Sequence, residues 1–332
     1  MQSLRLRLDT ALPAMWRQLF HVPIAVLAIC AVLLASFSSA LSGGVDLSGG
    51  PSAFLFLVAL IWALAFATRL VQPSSRLAVG LETLALFFAV ILLATFASVS
   101  MAVGSGTFID PALIAIDKAL FPFLDLKALI LALPGYPRLY AVLAWIYDSM
   151  VWQPLAFLGV ATLFGKSRDN EYFLSAWAVG LLLCLLPFHW LPALSPYNYY
   201  GIDQTLMPGV KVNMPWQFVP TMMGLRDGTI DTLTIDHLTG MVTIPSFHAC
   251  AATMLACCWW RFRLTRWPML ALNIGMALAA IPIGSHYVID IIAGIAVGLL
   301  ATSFAGWFLR AKDRAKAVPA AEVFPELVSL PA

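Results

Sequence analysis

Eight stretches of the chain are apolar almost without interruption: residues 21–41, 52–71, 78–102, 139–164, 172–192, 242–260, 267–283 and 286–309. Each approaches the roughly 20 residues that an α-helix needs to cross a bilayer. The runs are continuous rather than alternating. Only helices or closed barrels satisfy their backbone in lipid, so the pattern predicts an all-α integral membrane protein of about eight transmembrane helices. The first run follows Arg5, Arg7 and Arg17 and ends near Ser38-Ser39-Ala40, which has the form of a cleavage site. It exceeds the about 7–15 residues of a signal-peptide core, which favours a retained helix.

The polar linkers set the orientation. Arg5, Arg7 and Arg17 precede the first run, Arg69 and Arg76 mark the boundary between the second and third, and Lys166 and Arg168 separate the fourth and fifth. Arg261, Arg263 and Arg266 separate the sixth and seventh, and Arg310, Lys312, Arg314 and Lys316 follow the eighth. The alternate linkers are poorer in positive charge, so both termini are expected in the cytoplasm, as an even number of spans requires. Two long outer loops then remain, residues 103–138 and 193–241. The first contains "ALIAIDKALFPFLDLKALILAL", an amphipathic stretch suited to the membrane interface. The second is rich in Pro, Tyr and Trp, and order is expected there. No internal repeat or inverted pair of halves is visible.

Composition agrees with the pattern. Of 332 residues, 61% are hydrophobic and 11% charged, against about 25% charged in soluble domains. The mean hydropathy is +0.89. The net charge of +2 comes with no basic block or basic–aromatic interleaving, which argues against nucleic acid as a partner. Cys30, Cys184, Cys250, Cys257 and Cys258 all fall in apolar runs, and the adjacent Cys257-Cys258 is not a metal-ligand spacing. They are read as packing residues, and no metal site is expected.

Candidate chemistry lies at the outer ends of two spans. "IPSFHAC" opens the sixth with Pro245, Ser246 and His248, and "GSHYVID" opens the eighth with Ser285, His286 and Asp290. Proline suits a helix start, and backbone N–H groups there can meet an anion. His286 and Asp290 stand at i and i+4 on one helix face. A carboxylate so placed can fix the imidazole tautomer and stabilise its cation, which makes a histidine a nucleophile toward phosphorus. His248, from another helix, is then the general acid or base. Ser246 and Ser285 are candidate donors to phosphate oxygens. Arg226, in the outer loop, is the best candidate cation, ahead of Lys211. Asp148, in "WIYDSMVW", either lines the cavity or caps a polar helix contact. Glu82, His21, His189 and His237 are read as interfacial polar residues.

"IPSFHA" and "GSHYVIDIIAG" resemble the second and third signature motifs of the type 2 phosphatidic acid phosphatase (PAP2) superfamily. The resemblance is greatest to its branch of inositol phosphorylceramide and sphingomyelin synthases, where the motifs read Pro-Ser-x-His and His-Tyr-x-x-Asp. It divides the chain into two N-terminal transmembrane helices (1–77), a six-helix catalytic core (78–309) and a cytoplasmic tail (310–332). It implies that His286 forms a phosphohistidine, that Asp290 orients it and that His248 protonates the leaving group. No metal and no cofactor are implied. The substrate is a phospholipid or sphingolipid in the bilayer.

The chain departs from the phosphatase pattern in two places. The first motif, with its Lys and Arg-Pro pair, is absent, and Ala279-Ala280 stands where Ser-Arg would precede the third motif. Both losses favour the head-group transferase branch, and "LRDG" resembles a segment of that branch, so Arg226 would replace a missing cation. The expected activity is lipid phosphotransfer on the extracytoplasmic side, which in a bacterial inner membrane is the periplasmic side. The alternatives are a lipid phosphate phosphatase that only hydrolyses, a proton-coupled transporter using the same three side chains, and a non-catalytic lipid-binding relative.

Overall fold

The computed structural model describes residues 50–72, 74–103, 105–230 and 240–317. Among them are eleven α-helices. Those of the bundle are α1 (Gly50–Val71), α2 (Arg76–Val103), α5 (Pro137–Leu163), α6 (Ser167–Phe188), α9 (Phe247–Trp259), α10 (Arg266–Ala279) and α11 (Val288–Ala317). Between them lie α3 (Asp110–Leu120), α4 (Leu126–Ala132), α7 (Pro196–Tyr199) and α8 (Val219–Asp227). Among the described residues, four helices are long and apolar enough to cross a membrane, within Arg76–Val99, Pro137–Leu163, Ser167–Phe188 and Val288–Arg314.

Three further predicted runs fall on α1, α9 and α10, and the run at 21–41 lies outside the described residues. The helices α9 and α10 are shorter than their runs, at 13 and 14 residues. The physical reason lies at their ends. Pro245 and the N-cap Ser246 delay the start of α9. The chain turns out of helix between Ala280 and Tyr287, where Ser285 has φ 58°. Non-helical backbone at membrane depth is tolerated only inside protein. Here it is covered: Ile283, Ser285, His286 and Tyr287 are all buried.

The interior helix is α9, which packs against α5, α6, α10 and α11. Its close approach to α11 depends on two glycines. A Cβ on Gly294 would meet the Ser246 carbonyl and stand 2.9 Å from Ala249 Cβ, and one on Gly298 would stand 2.6 Å from Thr253 Cβ. This is the small-xxx-small spacing that lets helices touch backbone to backbone in lipid. Aromatic rings fill the other side of α9, with Phe157 and Trp259 edge to face at 5.4 Å and Phe87, Phe173 and Trp177 in mutual contact. Replacing Gly294 with leucine is expected to force α9 and α11 apart, at a cost of about 1–3 kcal/mol or more. Lowered thermal unfolding together with loss of activity is the expected signature.

The linkers assigned to the cytoplasm converge at one end. Arg261 and Lys166 both meet Asp169, at 2.6 and 3.9 Å. Lys312 pairs with Glu171 at 2.8 Å, Arg168 pairs with Asp313, and the Arg76 side chain lies beside Gly165. Exposed Trp260, Trp267 and Trp307 belong to this end of the chain's helices, in keeping with an interfacial aromatic belt. Glu82, near the start of α2, is buried and bound to Arg69 at 2.5 Å, joining α1 to α2.

The opposite end is closed by the first outer loop. Leu113, Ile114, Leu126 and Ile130 from α3 and α4 form a second core with Tyr197, Ile202, Met207, Ile283 and Tyr287. Two acids on the buried face of α3 make the polar joints. Asp110 accepts from Leu194 N–H, Ser195 N–H and the Tyr287 hydroxyl, the last at 2.7 Å. Asp117 accepts from the Val288 and Ile289 N–H groups at 2.8 and 2.9 Å. It thereby satisfies two of the orphan donors that every helix start leaves, here those of α11.

Candidate active site

The two motifs meet because both are helix starts at the same end of the bundle. Ser246 caps α9 through its hydroxyl oxygen, which accepts from Ala249 N–H at 3.4 Å, and its own N–H donates to the Asp290 carbonyl at 3.0 Å. That bond ties the Pro-Ser-x-His segment directly to the first turn of α11. Across it the rings of His248 and His286 are neighbours, with centroids 6.5 Å apart and planes tilted by 54°.

His286 is 5% exposed and Asp290 fully buried. The His286 Nδ1 lies 3.4 Å from Asp290 Oδ2, and the same oxygen accepts from Tyr287 N–H at 3.0 Å. The backbone N–H of His286 is held by the carbonyls of Ala280 and Ile281. With Nδ1 facing the carboxylate, Nε2 is the nitrogen left for chemistry. Ser285 carries the turn in the left-handed region, which a residue with a Cβ adopts at a cost of about 1–3 kcal/mol. Its Oγ and the Asp290 Oδ1 are buried without a hydrogen-bond partner among the described residues. Buried polar atoms are normally paired, which makes these two atoms beside His286 candidates to meet a ligand.

His248 is half-buried and is held by a residue that the sequence did not single out. Tyr147 stacks on its ring at 3.9 Å and 14°, and its hydroxyl lies 3.2 Å from His248 Nδ1. This again leaves Nε2 available. Gly284 makes room for the contact, since a Cβ there would come within 2.8 Å of Tyr147 Cε2 and 3.0 Å of His286 Cδ2. Asp148, the residue the sequence suggested, is exposed on α5, about 100° around the helix from Tyr147.

Arg226 is not brought to the histidines. It lies in the last turn of α8, which ends at Gly228 with φ 77°. Its guanidinium bonds Ser105 Oγ and the Gly106 carbonyl and lies over the Phe108 ring at 4.6 Å. The exposed Lys211 is tied by its backbone to the Tyr140 hydroxyl. His189 sits beside Trp190, outside the cluster, and His21 and His237 lie outside the described residues. Asp110 and Asp117 were also missed as positioning groups. A signal for both was present: they fall seven residues apart with Leu113 and Ile114, on the apolar face of an amphipathic helix.

A family model described as the PAP2 superfamily matches residues 111–304, more than half of the chain. The match contains His248, His286, Asp290, Tyr147 and Asp117. No curated protein and no solved structure matches.

Proposed function

Because the chain belongs to the PAP2 superfamily, whose members are phosphatases or phosphotransferases, we propose that it moves a lipid head-group phosphate through a phosphohistidine on His286. The observation that carries this reading is the histidine pair: two imidazoles 6.5 Å apart, each with Nδ1 engaged, which leaves Nε2 for chemistry.

His286 Nε2 attacks phosphorus while its Nδ1–H donates to Asp290, which offsets the positive charge that develops on the ring. The P–O bond to the leaving alcohol breaks, and His248 Nε2–H gives its proton to the leaving oxygen. A hydroxyl of an acceptor lipid then attacks the phosphohistidine, His248 takes the proton back, and the P–N bond breaks. With Tyr147 Oη accepting from its Nδ1–H, His248 is cationic before it protonates the leaving oxygen and neutral after, so that only Nε2 loses and regains the proton. The Ser285 hydroxyl, and the hydroxyl proton of Ser246, donate to the phosphoryl oxygens. Arg226, whose guanidinium is held by Ser105, Gly106 and Phe108, is assigned no step. No step uses a metal.

In this reading α2, α5, α6, α9, α10 and α11 form the catalytic core, and the histidines face the extracytoplasmic side by the positive-inside rule. They do not lie at the surface. From the basic linker at Arg261–Arg266, the 13 residues of α9 rise about 20 Å. The hydrocarbon core is about 30 Å thick. His248 would therefore sit on the order of 10 Å below the outer boundary, where water is scarce and an alcohol acceptor competes well. This favours transfer over hydrolysis.

The test is a panel of lipid phosphates and phosphodiesters given to the purified protein, with free phosphate and new phospholipid both followed. Product that needs an acceptor lipid and appears without free phosphate is expected. Free phosphate alone, whatever acceptor is supplied, would replace the transferase by a phosphatase.

A further inference from the structure

The cap formed by α3 and α4 carries a groove whose lining includes neither His248 nor His286. The turn joining α3 to α4 and the ring of Tyr200 enclose this groove of about 550 Å³, whose lining includes Asp117, Lys118, Phe123, Asp125 and Lys127. That is within the about 300–1,000 Å³ usual for small-ligand sites.

Its charges are unevenly engaged. Asp117 is buried and already accepts two backbone N–H groups of α11. Asp125 accepts from Ala128 N–H at 2.9 Å as the N-cap of α4. The two lysines are exposed, and among the described residues neither belongs to an ion pair. Lys127 instead lies 5.9 Å from the centre of the Tyr200 ring. The groove thus offers two ammonium groups and an aromatic wall, which suit a phosphate carried on a larger head group.

The rim tells what carries that phosphate. Phe123 is 84% exposed and Leu120 54%, on an amphipathic element whose other face is buried. Apolar side chains next to lysines are the pattern of a segment lying in the headgroup region of a bilayer. The occupant therefore needs an anionic head and an apolar tail.

We propose that this groove binds the phosphate head group of a membrane lipid, with Lys118 and Lys127 on the phosphate oxygens, Tyr200 against the head group and the chains passing over Leu120 and Phe123 into the bilayer. Only the further step, that this lipid is a substrate waiting for His286, rests on the reading above. The structural link for it is Asp117, which forms part of the groove wall and holds the two residues that follow Tyr287.

The groove is tested apart from catalysis in the full-length His286→Ala protein, where turnover is not at issue. Dihexanoyl phosphatidic acid, dihexanoylglycerol and inorganic phosphate would each be titrated calorimetrically into the detergent-solubilised protein. Saturable binding of the phosphatidic acid is expected, at least tenfold tighter than either other compound. Adding Lys118→Ala and Lys127→Ala together is expected to weaken it roughly tenfold, and adding Lys118→Arg and Lys127→Arg instead to retain it. Unchanged affinity in the double alanine variant overturns the site. Equal affinity for inorganic phosphate overturns the lipid assignment. Turnover by the wild-type protein is read separately, so a failed groove and a failed catalytic assignment give different results.

Discussion

Alanine at His286 is expected to lower phosphoryl turnover by about 10⁴-fold or more, because the nucleophile of a covalent mechanism has no substitute within reach. The residue is 5% exposed and packed in a turn anchored by the Ala280 and Ile281 carbonyls. The substitution removes a ring but no helix-forming contact, so the thermal unfolding midpoint should move only a few degrees. The same experiment has a chemical arm. Brief exposure of the wild-type protein to radiolabelled substrate, followed by denaturation in base, should leave label that is stable to alkali and lost in acid. That is the behaviour of a P–N bond, and label should be missing from His286→Ala. Turnover within tenfold of wild type in that variant would remove His286 from the reaction.

Asparagine at Asp290 is expected to cost between about 10²- and 10⁴-fold in turnover. The amide keeps the shape of the carboxylate and can still accept from Tyr287 N–H at the position of Oδ2. What it loses is the negative charge opposite His286 Nδ1 at 3.4 Å. The loss should fall on kcat rather than KM, because the charge matters most when the ring becomes cationic during attack. Rapid-quench measurement should show slower phosphoenzyme formation in an otherwise folded protein. An increase confined to KM would instead make Asp290 a binding residue.

The parts of this site that were legible in the sequence are those carried by contiguous chain. Pro245 to His248 and Ser285 to Asp290 each combine a helix start with titratable groups, and a start is recognisable from local chemistry. The linker charges likewise indicated which helix ends belong together, and Arg261, Lys166, Arg168 and Lys312 do meet at one end. Tyr147 was not legible, because its role depends on the angle at which α5 passes α9, 101 residues away in the chain. Asp148 was conspicuous for its charge and is exposed. Arg226 is held by Ser105, Gly106 and Phe108, long-range partners that motif proximity does not reveal. The lengths of α9 and α10 were overestimated because hydropathy does not register the late start set by Pro245 and Ser246 or the buried, non-helical turn between Ala280 and Tyr287.

The bonds from Asp117 to Val288 and Ile289 also order events during synthesis. The carboxylate leaves the ribosome 171 residues before the first of the backbone groups it will hold. Throughout translation of the intervening helices the cap is present and its partner is not. Among the described helices, the one that follows His286 and carries Asp290 is made last, and it docks onto an anchor already in place. A chain interrupted before His286 carries His248 and Tyr147 but lacks the residue proposed as nucleophile, so on that reading reactivity arises only once this helix has been made.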